Sequence, residues 1–284
     1  MKIKKYILFF LLLPLTLQVH TLVFKFKYTK GEKYRTVTTV SEKIYLNGEF
    51  NNSAINWNKI AIEVLDVKNG KGLLSGKYQV STIARSEYQI KHLDEDFSSM
   101  YWIDETGNYE SLDPNYLMPF IRDIPFFSKK DIKTGEKWKA IGTEVHDFRR
   151  YGVGTPIFVP VDIEYQFIKE ETKNGKKVAL LKLNYMIYRE LKELLGLSGW
   201  YPINIIGKVE SAIYWDIRKG RIFSYEDNYH KLYTFNTGET YEFIGTSSAE
   251  VIEVEEMDKK KVEEEIKKVI ENIKPAANKR IKEH

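Results

Sequence analysis

The 284-residue sequence contains no cysteine, which removes disulfides, thiolate metal sites and thiol nucleophiles together. It also removes bacterial lipoprotein processing, which needs a cysteine after the leader. Histidine is scarce: the five stand at positions 20, 92, 146, 230 and 284, no two of them at metal-ligand spacing, and H-E-x-x-H is missing. No G-x-S-x-G elbow and no G-x-x-x-x-G-K-[ST] loop occurs. An excess of one charge is lacking as well. Formal net charge is +4, and lysine and glutamate are interspersed, so no basic stripe offers itself to nucleic acid.

What is present begins with a leader. Lys2, Lys4 and Lys5 precede an apolar run from Tyr6 to Leu17, about a dozen residues long and interrupted by Pro14 and Thr16. The run is short for a membrane span and has the form of a secretory signal. We place the cut near Thr21, with residues 1–21 as the signal peptide and an uncleaved anchor as the rival reading. Loss of the three lysines brings the charge to about +1. An exported chain without disulfides depends on its core, and about 260 residues suffice to build one.

The body reads as strands. Aromatics make up 14% of the chain, with 19 tyrosines, a composition suited to pleated, half-buried surfaces. "LVFKFKY" alternates apolar and polar residues with period two. Asn47-Gly48, Asn69-Gly70 and Asn174-Gly175 are hairpin signals, because a type I′ turn needs two positive φ angles. Further turns fall at Thr106-Gly107-Asn108 and Lys219-Gly220. Residues 111–134 carry Pro114, Pro119 and Pro125 among large apolar side chains. They are expected to form a connector packed over the sheet, with a short helical turn at Tyr116–Arg122.

Three landmarks recur in order. Gly31-Glu32-Lys33-Tyr34 matches Gly135-Glu136-Lys137-Trp138, and Asn69-Gly70-Lys71 matches Asn174-Gly175-Lys176, about 104 and 105 residues apart. Tyr101-Trp102 with Asp104 and Gly107 is echoed, about 113 residues on, by Tyr214-Trp215 with Asp216 and Gly220. Together they suggest an internal duplication, approximately residues 22–134 and 135–256, within one β-rich domain of residues 22–256. The period is too long for a solenoid or propeller blade. The expected fold is therefore all-β: one large antiparallel sheet, a half-barrel or a sandwich, built from two duplicated hairpin units. Residues 257–284 are expected to add a C-terminal amphipathic helix and tail. Asp258 can cap that helix, Pro275 stops it, and Val262, Ile266, Val269, Ile270 and Ile273 form one stripe. The stripe either docks on the sheet or binds a partner.

Candidate chemistry is sparse. His146-Asp147 and Asp227 with His230 have the residue types of a base and its orienting group, but such pairs are more often ordinary surface or turn residues. Asp94-Glu95-Asp96 is an acidic cluster, read as a solvated turn since a hard cation wants six or more oxygens. No catalytic residue, metal site or cofactor is expected. Tyr101, Trp102, Tyr214 and Trp215 fall at matched places and are candidates to line a cleft for an acyl chain or glycan, against the plainer reading of core packing.

Two stretches carry a family resemblance. "EDNYHKLYTFNTGETYEFIGTSSAEVIEVEEMDKKKVEEEI" (Glu226 to Ile266) resembles the segment joining the N-terminal β-rich domain of spirochaetal OmpA-family envelope proteins to their OmpA domain. "FKFKYTKGEKYRTVTTVSEKIYLNG" (Phe24 to Gly48) is similar to the opening of the same domain. The resemblance spans roughly residues 22–270. It implies a periplasmic or outer-membrane-associated β domain without known enzymatic activity. In that family the OmpA domain holds peptidoglycan through an Asp and an Arg. This sequence runs only to His284, so peptidoglycan binding is not carried over to any residue here.

The sequence thus points to an exported, non-enzymatic structural or protein-interaction module of the cell envelope, associated with the membrane at most peripherally. Its partner would be an envelope protein. The alternative is a carrier of lipid or another hydrophobic ligand, in the manner of LolA-like half-barrels. A transmembrane barrel is disfavoured, because the strands carry too many Lys and Glu on both faces.

Overall fold

The computed structural model describes residues 21–86, 89–149 and 152–253. The expected helix and tail, residues 257–284, and the leader up to residue 20 lie outside the described residues. Fourteen strands make up most of the described chain: β1 Thr21–Leu22, β2 Lys33–Leu46, β3 Glu49–Lys68, β4 Lys71–Arg85, β5 Ile90–Ile103, β6 Tyr109–Ser111, β7 Ile121–Arg122, β8 Ile132–Lys133, β9 Lys137–His146, β10 Ile157–Lys173, β11 Lys176–Glu190, β12 Pro202–Asp216, β13 Arg221–Phe235 and β14 Thr240–Glu253. Twelve of them form one antiparallel sheet, in the order β6-β5-β4-β3-β2-β14-β13-β12-β11-β10-β9-β7. Of the architectures expected, one large antiparallel sheet curled into a half-barrel is the one found.

Nearly every strand pairs with its neighbour in sequence. The exceptions are β7 with β9, β1 with β8 in a separate two-stranded sheet, and β2 with β14, the last of which brings the start of the sheet against its end. The sheet is therefore an up-and-down meander whose seam lies between β6 and β7, and the proline-bearing connector spans that seam. Arg122 holds it. Its guanidinium lies 4.7 Å from the Tyr109 ring of β6 and 4.9 Å from the Phe158 ring of β10. It also donates to the Tyr116 and Pro119 carbonyls at 2.5 and 3.2 Å. Beside it the Tyr109 amide donates to Asp123 Oδ1 at 2.7 Å, so the two edges are tied and the half-barrel is nearly closed. No helical turn forms at residues 116–122. Pro119 lacks a backbone donor, and Arg122 takes the carbonyls that a helix would use.

Alternation assigns the faces. Away from the bulges, the odd-numbered residues of β10 to β14 point inward and the even-numbered ones of β2, β3 and β4 do, as the cross-strand pairs Ala249 with Thr38 and Gly245 with Glu42 require. One end of the interior is apolar and filled by the chain itself. Residues 23–32 are not a strand of the sheet, although their alternation is real. Phe24, Phe26 and Tyr28 project into the base of the half-barrel. Phe24 stacks on Phe127 at 5.4 Å and meets Phe167 edge-on at 5.2 Å. Phe26 packs edge-to-face on Trp215 at 4.8 Å. The backbone of this plug bonds to turns rather than to a ladder, from the Phe26 amide to the Glu105 carbonyl and from the Lys27 amide to the Gly220 carbonyl. Gly107 admits the plug: its φ is +99°, and a Cβ there would stand 2.3 Å from the Pro125 carbonyl oxygen and 2.9 Å from Phe26.

The repeated "GEK" phrase has one geometry in both places. The Gly31 amide donates to the Val64 carbonyl and the Gly135 amide to the Phe167 carbonyl. Just beyond each acceptor the ladder is bulged, between Val64 and Asp66 and between Phe167 and Lys169. The Asn-Gly turns follow with positive φ at Asn69 and Asn174. The phrase marks the crossing of a turn onto a neighbouring strand, where glycine alone tolerates φ near +80°.

The plug predicts a contrast between adjacent residues. Phe24→Ala is expected to lower unfolding free energy in urea by about 3–5 kcal/mol. Val23→Ala, at a side chain 53% exposed, should change it by no more than about 0.5 kcal/mol.

Candidate functional site

Above the plug the inward side chains turn polar. On β13 the inward row reads Tyr225, Asp227, Tyr229, Lys231 and Tyr233. Facing it across the lumen, the end of β9 contributes Glu144 and His146, two residues apart and so on one face. Glu144 is only 2% exposed, yet both its oxygens are engaged. Oε1 accepts from the Tyr185 hydroxyl at 2.6 Å, and Oε2 accepts from Lys231 Nζ at 2.7 Å. His146 Nε2 stands 3.2 Å from Oε2 as an electrostatic contact without hydrogen-bond alignment, while Nδ1 is 3.1 Å from the Tyr233 hydroxyl. Burial pushes the Glu144 pKa up, but the Lys231 ammonium and the His146 ring outweigh it and hold the carboxyl well below its usual range. Burial pushes the His146 pKa down, against the pull of Glu144, and keeps the imidazole neutral.

A second set of contacts links β13 to the first half of the sheet. The Tyr229 hydroxyl donates to Glu42 Oε2 at 2.8 Å, and Asn56 Nδ2 to Glu42 Oε1 at 3.2 Å. Ser247 donates to Asp227 Oδ2 at 2.7 Å, and the Tyr225 and Thr38 hydroxyls are 3.2 Å apart. Burial raises the pKa of Glu42 and of Asp227, with these hydrogen bonds pulling the other way. On β3 the inward row continues polar, with Asn52, Asn56 and Asn58. The Asn52 and Asn58 side-chain oxygens are buried without a hydrogen-bond partner.

Among the cavities are two of note. One of about 500 Å³ crosses β2 to β5; its lining includes Arg35, Lys59, Lys77 and Asp96, which the register places on the outward face, with Ile60, Tyr78 and Phe97. The other, about 140 Å³, sits at the mouth opposite the plug. Its walls are His146, Asp147, Phe148, Tyr233, Phe235, Tyr241 and Phe243.

The four aromatics singled out from sequence do not share a cleft. Tyr101 and Trp215 point inward and are packed: the Tyr101 hydroxyl is 3.3 Å from that of Tyr78, and Trp215 lies against Phe26 and Phe127. Trp102 and Tyr214 point outward, and Tyr214 lies under Lys173 Nζ at 3.4 Å from its ring centre. Neighbours on a strand face opposite ways, so a Tyr-Trp dipeptide cannot place both rings in one pocket. The same rule separates Asp227, which points inward, from His230, which points outward to Glu242 at 2.6 Å. Asp147 binds Arg149 at 2.6 Å, and the partner of His146 is Glu144 instead. Asp94-Glu95-Asp96 lies within β5 and not at a turn, so its carboxylates alternate between faces and cannot converge on one ion. Among the described residues no group of acidic and histidine side chains is placed to hold a metal, and no helix is long and apolar enough to cross a membrane. Sequence reading missed Glu144. The signal was there in "TEVH", an acid and a histidine at period two on one strand face.

No family model matches the chain, and no curated protein does. Among solved structures, the crystal structure of the hypothetical lipoprotein YmcC from Escherichia coli (K12) is similar over 72% of this chain and 85% of that one, at 11% identity and a TM-score of 0.23. A likeness that slight carries no argument about function.

The buried network makes stability depend on pH. Glu144 and neutral His146 both have folded pKa values below their unfolded ones. Their stabilisation is complete above about pH 6.5 and is lost as pH falls through the carboxylate range. Glu42 and Asp227, raised by burial, act in the opposite sense and soften the loss. Glu144→Gln is expected to destabilise by about 3–5 kcal/mol at pH 7, because it strands Lys231. The gap from the parent protein should narrow at pH 4 when both are unfolded in urea.

Proposed function

We propose that the chain is a non-enzymatic interaction module of the cell envelope that presents the outer face of its half-barrel to a protein partner. The observation that carries this is an apolar patch on that face near the mouth. Met186 and Tyr188 lie two apart on β11 and are 61% and 67% exposed. Tyr188 pairs with exposed Ile206 on β12, which pairs in turn with Leu232 on β13. The loop after β11 adds Leu195, 64% exposed, and Leu197. Monomeric proteins seldom leave such residues contiguous without a use.

The charges around the patch say what kind of partner fits. Lys192 pairs with Glu190 at 2.9 Å, Lys208 with Glu210 at 2.6 Å and Arg189 with Glu193 at 2.7 Å. These neutralised pairs leave no net positive field to draw the patch onto an anionic lipid surface. An apolar protein surface with a polar rim matches it better. The buried acids support a structural reading too, since Glu42, Glu144 and Asp227 are each held by side chains of this chain. The leader and the resemblance to envelope β domains support the location.

The carrier reading rests on the cavity of about 500 Å³, a volume in the range of small-ligand pockets. An acyl chain placed there would desolvate Arg35, Lys59, Lys77 and Asp96, and the apolar base of the half-barrel is already occupied by Phe24, Phe26 and Tyr28.

Photo-crosslinking in the native cell tests the proposal. A photoreactive residue at position 188 should give one discrete adduct that Met186→Lys reduces at least about tenfold, the loss of roughly one buried apolar side chain. The same residue at position 63, on the outer face of β3, should not give it. An adduct indifferent to Met186→Lys, or none, would refute the outer-face partner.

A further inference from the structure

The small cavity at the mouth has a composition unlike the rest of the lumen. Five of its seven lining residues are Phe or Tyr, contributed by β13, β14 and the segment after β9. The rings stand at steep angles around the space. Tyr233 meets Phe148 at 5.7 Å and 77°, and Phe243 at 5.4 Å and 86°. Phe235 meets Tyr241 at 5.5 Å and 63°, and Trp200 backs Phe235 in a stack at 4.0 Å. Edge-to-face rings of this kind form the walls of a box and do not collapse into a flat pile. The remaining wall is His146, 6% exposed, whose Nε2 has no aligned hydrogen-bond partner, together with Asp147, whose carboxylate is bound by Arg149.

The sequence places rings here by ordinary strand grammar. Tyr233 and Phe235 are two apart on β13, Tyr241 and Phe243 two apart on β14, and Tyr233 pairs directly with Tyr241. All four therefore face one way, next to the β13–β14 turn. His146 and Phe148 reach the same place from the opposite side of the mouth, their rings parallel at 6.1 Å and 7°.

We propose that this box is a binding site for a compact organic cation, a methylated ammonium group of the choline type. Ring faces are negative and attract such a cation, and a quaternary ammonium is recognised through them because it has no N–H to donate. Among the described residues lining the box, His146 is held neutral by burial and the Asp147 carboxylate is paired with Arg149 at 2.6 Å, while the nearby Lys231 is paired with Glu144, so the attraction for a cation comes from the ring faces. An anion would meet the negative ring faces, and a cavity of about 140 Å³ has no room for an acyl chain. The site is separate from the outer apolar patch, so it stands or falls independently of the protein partner.

Isothermal titration of the purified protein with choline, and with its uncharged isostere 3,3-dimethyl-1-butanol, tests the assignment. The two have the same shape and differ in charge. Choline should bind to one site, with the isostere roughly tenfold weaker, the scale of a desolvated cation–π contact. Tyr241→Leu, at a half-buried position outside the Glu144 network, should weaken choline by a similar factor without changing the fold by circular dichroism. Equal binding of choline and the isostere would make this an apolar pocket only and would overturn the proposal. So would the absence of choline binding, or choline binding unaltered by Tyr241→Leu.

Discussion

A sheet of twelve strands curls around more space than its own inward side chains can close-pack, and the interior has to be dealt with. Nearly every distinctive feature of this chain answers that constraint. The base is filled by a segment that is not part of the sheet, with Phe24, Phe26 and Tyr28 entering among Phe127, Phe167 and Trp215. The upper lumen is spanned by buried charge, with Lys231 of β13 reaching Glu144 of β9 across the strands between them. The first solution is apolar and costs no specificity. The second fixes which strands oppose each other, because a carboxylate with 2% exposure must find its partners or destabilise the fold.

The same constraint distributes function. With its base plugged, the half-barrel has little apolar volume left for a lipid, and what remains inside is polar, from Asn52 and Asn58 to Glu42 and Asp227. The surfaces we propose for recognition are then the mouth and the outer face. The mouth has a ring-lined box, and the outer face has Met186, Tyr188 and Ile206 among neutralised ion pairs. Closure is completed at the seam by Arg122, where one guanidinium does the work that ladder bonds do elsewhere.

Much of the architecture was legible in the sequence because strand and turn signals are local. The Asn-Gly hairpins at 47, 69 and 174 and the Gly-Glu-Lys turns sit where their φ requirements put them. Less legible was anything set by tertiary partners. The alternation in residues 23–28 reads as a strand, yet only Thr21–Leu22 pairs as one, since alternation reports sidedness and not hydrogen bonding. The turn expected at 116–122 gave way to seam contacts invisible in a single segment. Tyr101, Trp102, Tyr214 and Trp215 allowed a cleft or, more plainly, core packing; Tyr101 and Trp215 are packed inward, and only strand alternation shows that Trp102 and Tyr214 face the other way. Glu144 escaped notice because its significance depends on Lys231, 87 residues away in sequence.

Direct titration of the Glu144 side-chain carboxyl carbon by NMR tests the central claim, that a buried cross-lumen charge pair organises the upper half-barrel. The account requires that carboxyl to stay ionised well below the ordinary glutamate value of about 4.3 for as long as the protein remains folded. A carboxyl that takes up its proton at or above that value would mean that Lys231 and Tyr185 do not hold it, and the account would be wrong.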